Sequence, residues 1–99
     1  MLEDFDFHLE AREEADGSLA WYVENRPALA RGFQRSLQKA IEQALRFPAS
    51  GSLYLHGTRR VVLSRYPFLL VYRVRSEVLQ IIAVAHTSRR PSYWRDRLD

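Results

Sequence analysis

Two apolar runs separated by two polar residues constrain this chain most: Phe68–Arg75 (FLLVYRVR) and Val78–Ala85 (VLQIIAVA), joined by Ser76-Glu77. Val, Ile, Leu and aromatic residues at this density favour extended backbone, and a two-residue polar break fits a hairpin. The break lacks the Asn-Gly signal, so the turn type stays open. In the first run Phe68, Leu70 and Val74 alternate with Leu69 and Val71. Apolar groups on both faces place that run in the middle of a sheet. Pro67 sits at its start, where a missing N–H does least harm. Residues 59–65 read as a third strand leading into the pair.

The first half of the chain changes period. Over residues 3–9, Phe5, Phe7 and Leu9 alternate with Asp4, Asp6 and His8, the pattern of a half-buried strand. From Glu10 the apolar positions Ala11, Ala15, Leu19, Tyr22 and Val23 follow helical spacing. Gly17 weakens that helix by roughly 1 kcal/mol relative to Ala. Asn25-Arg26-Pro27 ends it, because proline disfavours helical geometry in the residue before it. A second helix restarts there, with Asn25 or Arg26 as cap and Pro27 in its first turn. Its face is Leu29, Phe33, Leu37, Ile41 and Leu45, widened by Ala30, Ala40 and Ala44, and it stops at Phe47-Pro48 before the loop 49–52. The order is β-α-α-β-β-β with a short C-terminal helix or turn from Pro91. The fold class is α+β: a small antiparallel sheet against an N-terminal αα-hairpin, one domain over residues 1–99.

At 99 residues the core is real but thin. The chain holds 46% hydrophobic and 27% charged residues, a globular balance. No apolar run approaches the roughly 20 residues that span a bilayer. The N-terminus MLEDFDFHLE is acidic where a secretory signal is basic, and cysteine is absent, so a cytoplasmic protein is expected. Charge is unevenly spread: residues 1–49 carry six basic and nine acidic side chains, residues 50–99 nine and three. All nine of the latter are Arg, suited to bidentate contact with phosphate or carboxylate.

Several chemistries find no support. His8, His56 and His86 lie in separate elements without ligand-spaced partners, so neither a metal nor a cofactor is expected. There is no phosphate-binding glycine loop and no nucleophile elbow. Asp4, Asp6, Glu13 and Glu14 read as a solvated face. A basic–aromatic cluster stands out instead: Arg59 and Arg60 open one strand, His86 closes another, and Arg89, Arg90, Tyr93, Trp94, Arg95 and Arg97 follow. Such a set fits phosphate or an acidic protein, with rings free to stack. The plainer reading is that Tyr93 and Trp94 pin the tail to the core while the arginines stay solvated. Arg73 and Arg75, near the hairpin tip, read the same way. Metal-free RNA cleavage needs an acid, a base and a cation for the phosphorane. His86, Arg60 or Arg65, and Tyr93 supply those residue types.

Over nearly its full length the chain resembles the RelE/ParE superfamily of bacterial toxins. The resemblance lies in Trp21-Tyr22, Pro27 with Ala30 and Phe33, Pro48, Arg60 before Val61–Arg65, Tyr66-Pro67-Phe68 leading into Leu70–Val74, and Ala83–His86 before Arg89-Arg90-Pro91 and Tyr93-Trp94. It implies the same hairpin-on-sheet fold and a cognate antitoxin, with operator DNA reached only through the antitoxin complex. RelE-like members cut ribosome-bound mRNA; ParE-like members poison DNA gyrase. Alignment places Leu69 and Thr87 where RelE-like enzymes carry Arg, and His86 and Arg60 where they carry Lys. The Tyr66-Pro67-Phe68 entry and the His86–Pro91 exit resemble the ParE, or plasmid stabilisation, branch. The resemblance therefore implies a gyrase inhibitor that meets gyrase and antitoxin through Arg59, Arg60, Arg73, His86, Arg89, Arg90, Tyr93 and Trp94. An mRNA interferase using His86, Arg60, Arg65 and Tyr93 is the alternative, and a non-toxic, autoregulatory binding partner is the third reading.

Overall fold

In the computed structural model, which describes residues 1–99, the chain runs β1 (Asp4–Phe7), α1 (Leu9–Asn25), α2 (Pro27–Arg46), β2 (Ser52–Leu53), β3 (Arg59–Val62), β4 (Phe68–Arg75) and β5 (Val78–His86). Short 3₁₀ turns occupy Leu55–Gly57 and Arg95–Leu98. Spatial order in the sheet is β1-β5-β4-β3-β2. Neighbours from β2 to β5 pair antiparallel, as expected. β1 joins in parallel, with Asp4 opposite Val78 and Phe7 opposite Ile81, a pairing that alternation alone does not specify. The two-residue β2 falls in what reads from sequence as the end of a loop.

Local chemistry explains the boundaries. His8 caps α1, its Nδ1 accepting from the Glu10 N–H at 3.1 Å, so the helix begins at Leu9 and Leu9 leaves the strand, 71% exposed. Asn25 turns its side-chain amide back onto the Trp21 carbonyl at 2.9 Å and satisfies one orphan acceptor at the end of α1. Arg26 is the one-residue joint, and Pro27 opens α2 with the fixed φ that a first turn requires. Ser76 and Glu77 both lie at positive φ, 51° and 62°. This is the twist-matched two-residue hairpin, made here without glycine. β3 ends at Val62, short of the expected boundary, because Leu63–Pro67 forms a turn with Arg65 at φ 69°.

The αα-hairpin packs on one face of the sheet, which we call the front. Its core joins Tyr22, Phe33 and Ile41 to Phe68, Leu70, Tyr72, Leu79, Ile81 and Val84. Phe33 is the hub: its ring lies 5.0 Å from Phe68, 5.2 Å from Tyr22 and 5.8 Å from Tyr66. Gly32 makes this possible, since a Cβ there would collide with the Tyr66 hydroxyl. A second, smaller cluster covers the back face, where Trp94 closes over Val71, Ile82, Ala83 and Ala85.

The two clusters reveal a β-bulge. Val71 pairs with Ala83 and Tyr72 with Ile81, leaving Ile82 without a partner. Ile82 and Ala83 both join the back cluster, so the alternation of β5 inverts at that point. Residues beyond the bulge therefore face opposite to where an unbroken strand would turn them.

Candidate functional site

The inversion decides where His86 lies. It pairs with Phe68 and presents its ring to the front, 5.2 Å from the Phe68 ring in edge contact. Its Nδ1 accepts from the Ser88 N–H at 3.0 Å, which leaves the proton of the neutral ring on Nε2. Beside it the β3–β4 turn is pinned to α2. Ser36 Oγ donates to the Ser64 carbonyl at 3.0 Å, and the Tyr66 hydroxyl donates to the Leu29 carbonyl at 2.7 Å. These bonds hold Arg65 at the lip of a groove of about 720 Å³ between the end of α1, the start of α2 and this turn. Tyr22, Leu29, Tyr66 and Phe68 give it an apolar lining, Trp21 a half-exposed wall, and Arg26, Arg65 and His86 the polar rim. No carboxylate lines it.

Arg60 belongs elsewhere. Strand alternation puts Val61 against the front core, so Arg60 faces the back, where its guanidinium lies 4.7 Å from the Tyr54 ring centre. Tyr54 in turn stacks on Trp94 at 5.9 Å, and the His56 ring meets Trp94 edge-on at the same distance. Trp94 is 1% exposed and acts as the anchor of the tail. Arg59 is tied to its own loop, donating to the Ala49 carbonyl at 3.2 Å and the Gly51 carbonyl at 2.8 Å. Arg73 donates to Gln80 at 2.8 Å, toward the hairpin end of the sheet. Arg89 lies over the Tyr93 ring at 3.9 Å, and Arg90 is exposed.

Tyr93 takes part in a third arrangement. Beyond Ile81 the outer edge of β5 has no β1 beside it, and side chains occupy the place of a strand. Glu14 accepts from the Val84 N–H at 3.0 Å and from the Tyr93 hydroxyl at 2.6 Å. Arg97 grips both Glu14 oxygens, at 3.0 and 2.9 Å, and donates to the Ile82 carbonyl at 3.0 Å. Glu14 is therefore not part of the solvated acidic face on which the sequence places it. Burial, then the bond to Glu14, push the Tyr93 hydroxyl well above the ordinary tyrosine range, which makes it a poor proton donor.

The four residues expected for RNA cleavage thus divide among three places. His86 and Arg65 share the groove, Arg60 and the buried Trp94 lie behind the sheet, and Tyr93 is engaged at the β5 edge. Trp21 and Arg26, which the sequence reading names as a landmark and a helix cap but not as site residues, line the groove. The signal for Trp21 is that it falls outside the Ala11, Ala15, Leu19, Tyr22 and Val23 stripe, although Val23, expected on the buried face, is exposed as well. No cluster of His, Cys, Asp or Glu is arranged to hold a metal.

A helical hairpin on a five-stranded sheet, with a groove that is open and cationic at the helix joint, defines the architecture of the chain. A chain described as "Chromosomal ParDE TA system from P. aeruginosa" shares the fold, with a TM-score of 0.72 at 19% identity over 86% of this chain and 96% of that one. The family model for the ParE toxin of the type II toxin–antitoxin system parDE matches residues 5–91. This chain belongs to that ParE toxin family. No curated protein matches it.

Proposed function

We propose that the chain stops growth by inhibiting DNA gyrase in the bacterial cytoplasm, and that the flexible tail of a cognate antitoxin neutralises it. The observation that carries this reading is the apolar closure of the sheet's back face. Leu69 stands where RNA-cutting relatives need a cation, and here it packs against the apolar back cluster that Trp94 closes. A phosphorane could not be stabilised among those side chains. Thr87, the second such position, is an uncharged exposed residue whose N–H is spent on the Pro67 carbonyl at 2.9 Å. Purified protein added to a gyrase supercoiling reaction tests the reading. Loss of supercoiling is expected, and full activity at excess toxin removes the gyrase target.

One observation favours the ribonuclease alternative: His86 and Arg65 line the same groove. That alternative predicts cleavage of ribosome-bound mRNA which disappears in His86→Ala. Cleavage unaffected by that change rejects His86 as the site. Harmless expression together with a stable antitoxin complex would leave only the binding role.

A further inference from the structure

The outer face of α2 carries a line of positive charge that the fold does not use. Arg31, Arg35 and Lys39 follow one another at intervals of four residues, and Arg46 continues the line two turns further on. All four are exposed. Successive members of the trio stand about 6 Å apart along the helix axis, and the whole line spans roughly 22 Å. None of them forms an ion pair; those in the molecule are Arg12–Asp16, Arg97–Glu10 and Arg97–Glu14. Exposed acids lie on the neighbouring helix at Glu13, Asp16 and Glu24, yet none of these pairs with the line. Glu42 is the one acid on the α2 face itself, and it shares a crevice with Lys39, Arg46 and the more distant Glu3. Like charges four residues apart repel and weaken a helix, so folding alone gives no reason for this arrangement.

We propose that this line holds the phosphate backbone of duplex DNA. The surface is separate from the groove, and its role does not depend on the gyrase target. A step of about 6 Å between cations is close to the separation of successive phosphates along a strand. The other exposed positions of the face, Gln34, Gln38 and Gln43, are amides, which add donors for phosphate oxygens. The face lacks what other partners need. It exposes no ring on which an unpaired base could stack, so a single strand finds no platform. Between Arg31 and Arg46 it exposes no large apolar side chain. It therefore has neither the anchor of a protein interface nor the apolar face that enters a membrane. A stiff rod of even negative charge fits it, gripped without reading bases. The acids of α1 repel the same backbone and confine the contact to α2.

Fluorescence anisotropy on the full chain tests this, with a labelled duplex of about 16 base pairs, longer than the roughly 22 Å line requires. Binding is expected at micromolar protein in low salt. Its log–log salt slope should lie near −3, so affinity falls about fiftyfold between roughly 50 and 200 mM. Two unrelated duplex sequences bind within about twofold of each other. The triple variant Arg31→Gln, Arg35→Gln, Lys39→Gln loses most of the slope and binds about tenfold or more weakly. Glutamine matches the helix propensity of those residues, so an unchanged thermal melt shows that the fold is kept. The charge-matched triple Arg89→Gln, Arg90→Gln, Arg95→Gln, on the tail behind the sheet, keeps the slope. Glu42→Gln tightens binding about twofold. No binding in low salt, an α2 triple that binds like the parent, or a tail triple that loses as much each overturns the proposal. So does a strong preference for one duplex sequence. Tighter binding to a single strand, to duplex RNA, or to vesicles of phosphatidylcholine and phosphatidylserine in equal parts overturns it as well.

Discussion

Single residues set tolerances that variants can measure. Gly32→Ala would drive a methyl group into the Tyr66 hydroxyl, which is itself fixed on the Leu29 carbonyl. A loss of about 1–3 kcal/mol in denaturant unfolding is expected, with Tyr66→Phe in the same background restoring part of it. Tyr93 makes a prediction about alkali. Its folded pKa lies above the unfolded value of 10.0, so the folded state keeps a proton that the unfolded state releases. Its contribution is whole below pH 10 and disappears as pH rises past it. Thermal melts between about pH 9 and pH 11 should show stability falling, and Tyr93→Phe should flatten part of that slope. Tyr22, raised by burial and then by Tyr66, supplies a remainder of the same sign. Part of this was legible beforehand, since the plainer reading of the tail has Tyr93 and Trp94 pinning it to the core, but only tertiary structure brings Glu14 to the Tyr93 hydroxyl.

At the scale of elements, α1 completes the sheet that β1 leaves unfinished. Glu14 and Arg97 take over the main-chain groups of Val84 and Ile82 and so block a free strand edge. The Glu14 side chain is 17% exposed and that of Arg97 8%, so removing one partner strands a largely buried charge. Glu14→Gln is expected to cost about 2–3 kcal/mol, measured by urea unfolding. The pair Glu14→Gln with Arg97→Met should cost less than the two single changes summed. The helices and the β4–β5 hairpin were legible because their apolar periods are unambiguous. The bulge was not. Ile82-Ala83-Val84-Ala85 is apolar at every position, so the sequence carries no mark of which face each residue takes. That silence also concealed the separation of His86 from Arg60. The parallel pairing of β1 was hidden for a related reason, since four alternating residues accept a partner strand in either direction.

Across the whole molecule the tail is structural. Trp94 closes the back cluster and Arg97 the β5 edge, so a chain ending at Pro91 loses both. Trp94→Ala is expected to cost about 3–5 kcal/mol, a large share of the roughly 5–15 kcal/mol that holds a small domain. Circular dichroism melts would register this as one cooperative transition at lower temperature, and a separate early transition would contradict a shared core. Acrylamide should quench Trp21 fluorescence and spare Trp94, giving an internal check that the tail is docked. The parallel ladder between Asp4–Phe7 and Val78–Ile81 carries a consequence for biosynthesis. The first strand made has no neighbour until the last one is finished. A nascent chain interrupted before Val78 therefore leaves the acidic segment Asp4–Phe7 unpaired and the αα-hairpin on a sheet that lacks β5 and its share of the core, an open target for proteolysis. Stalled translation would yield fragments that are harmless to the cell.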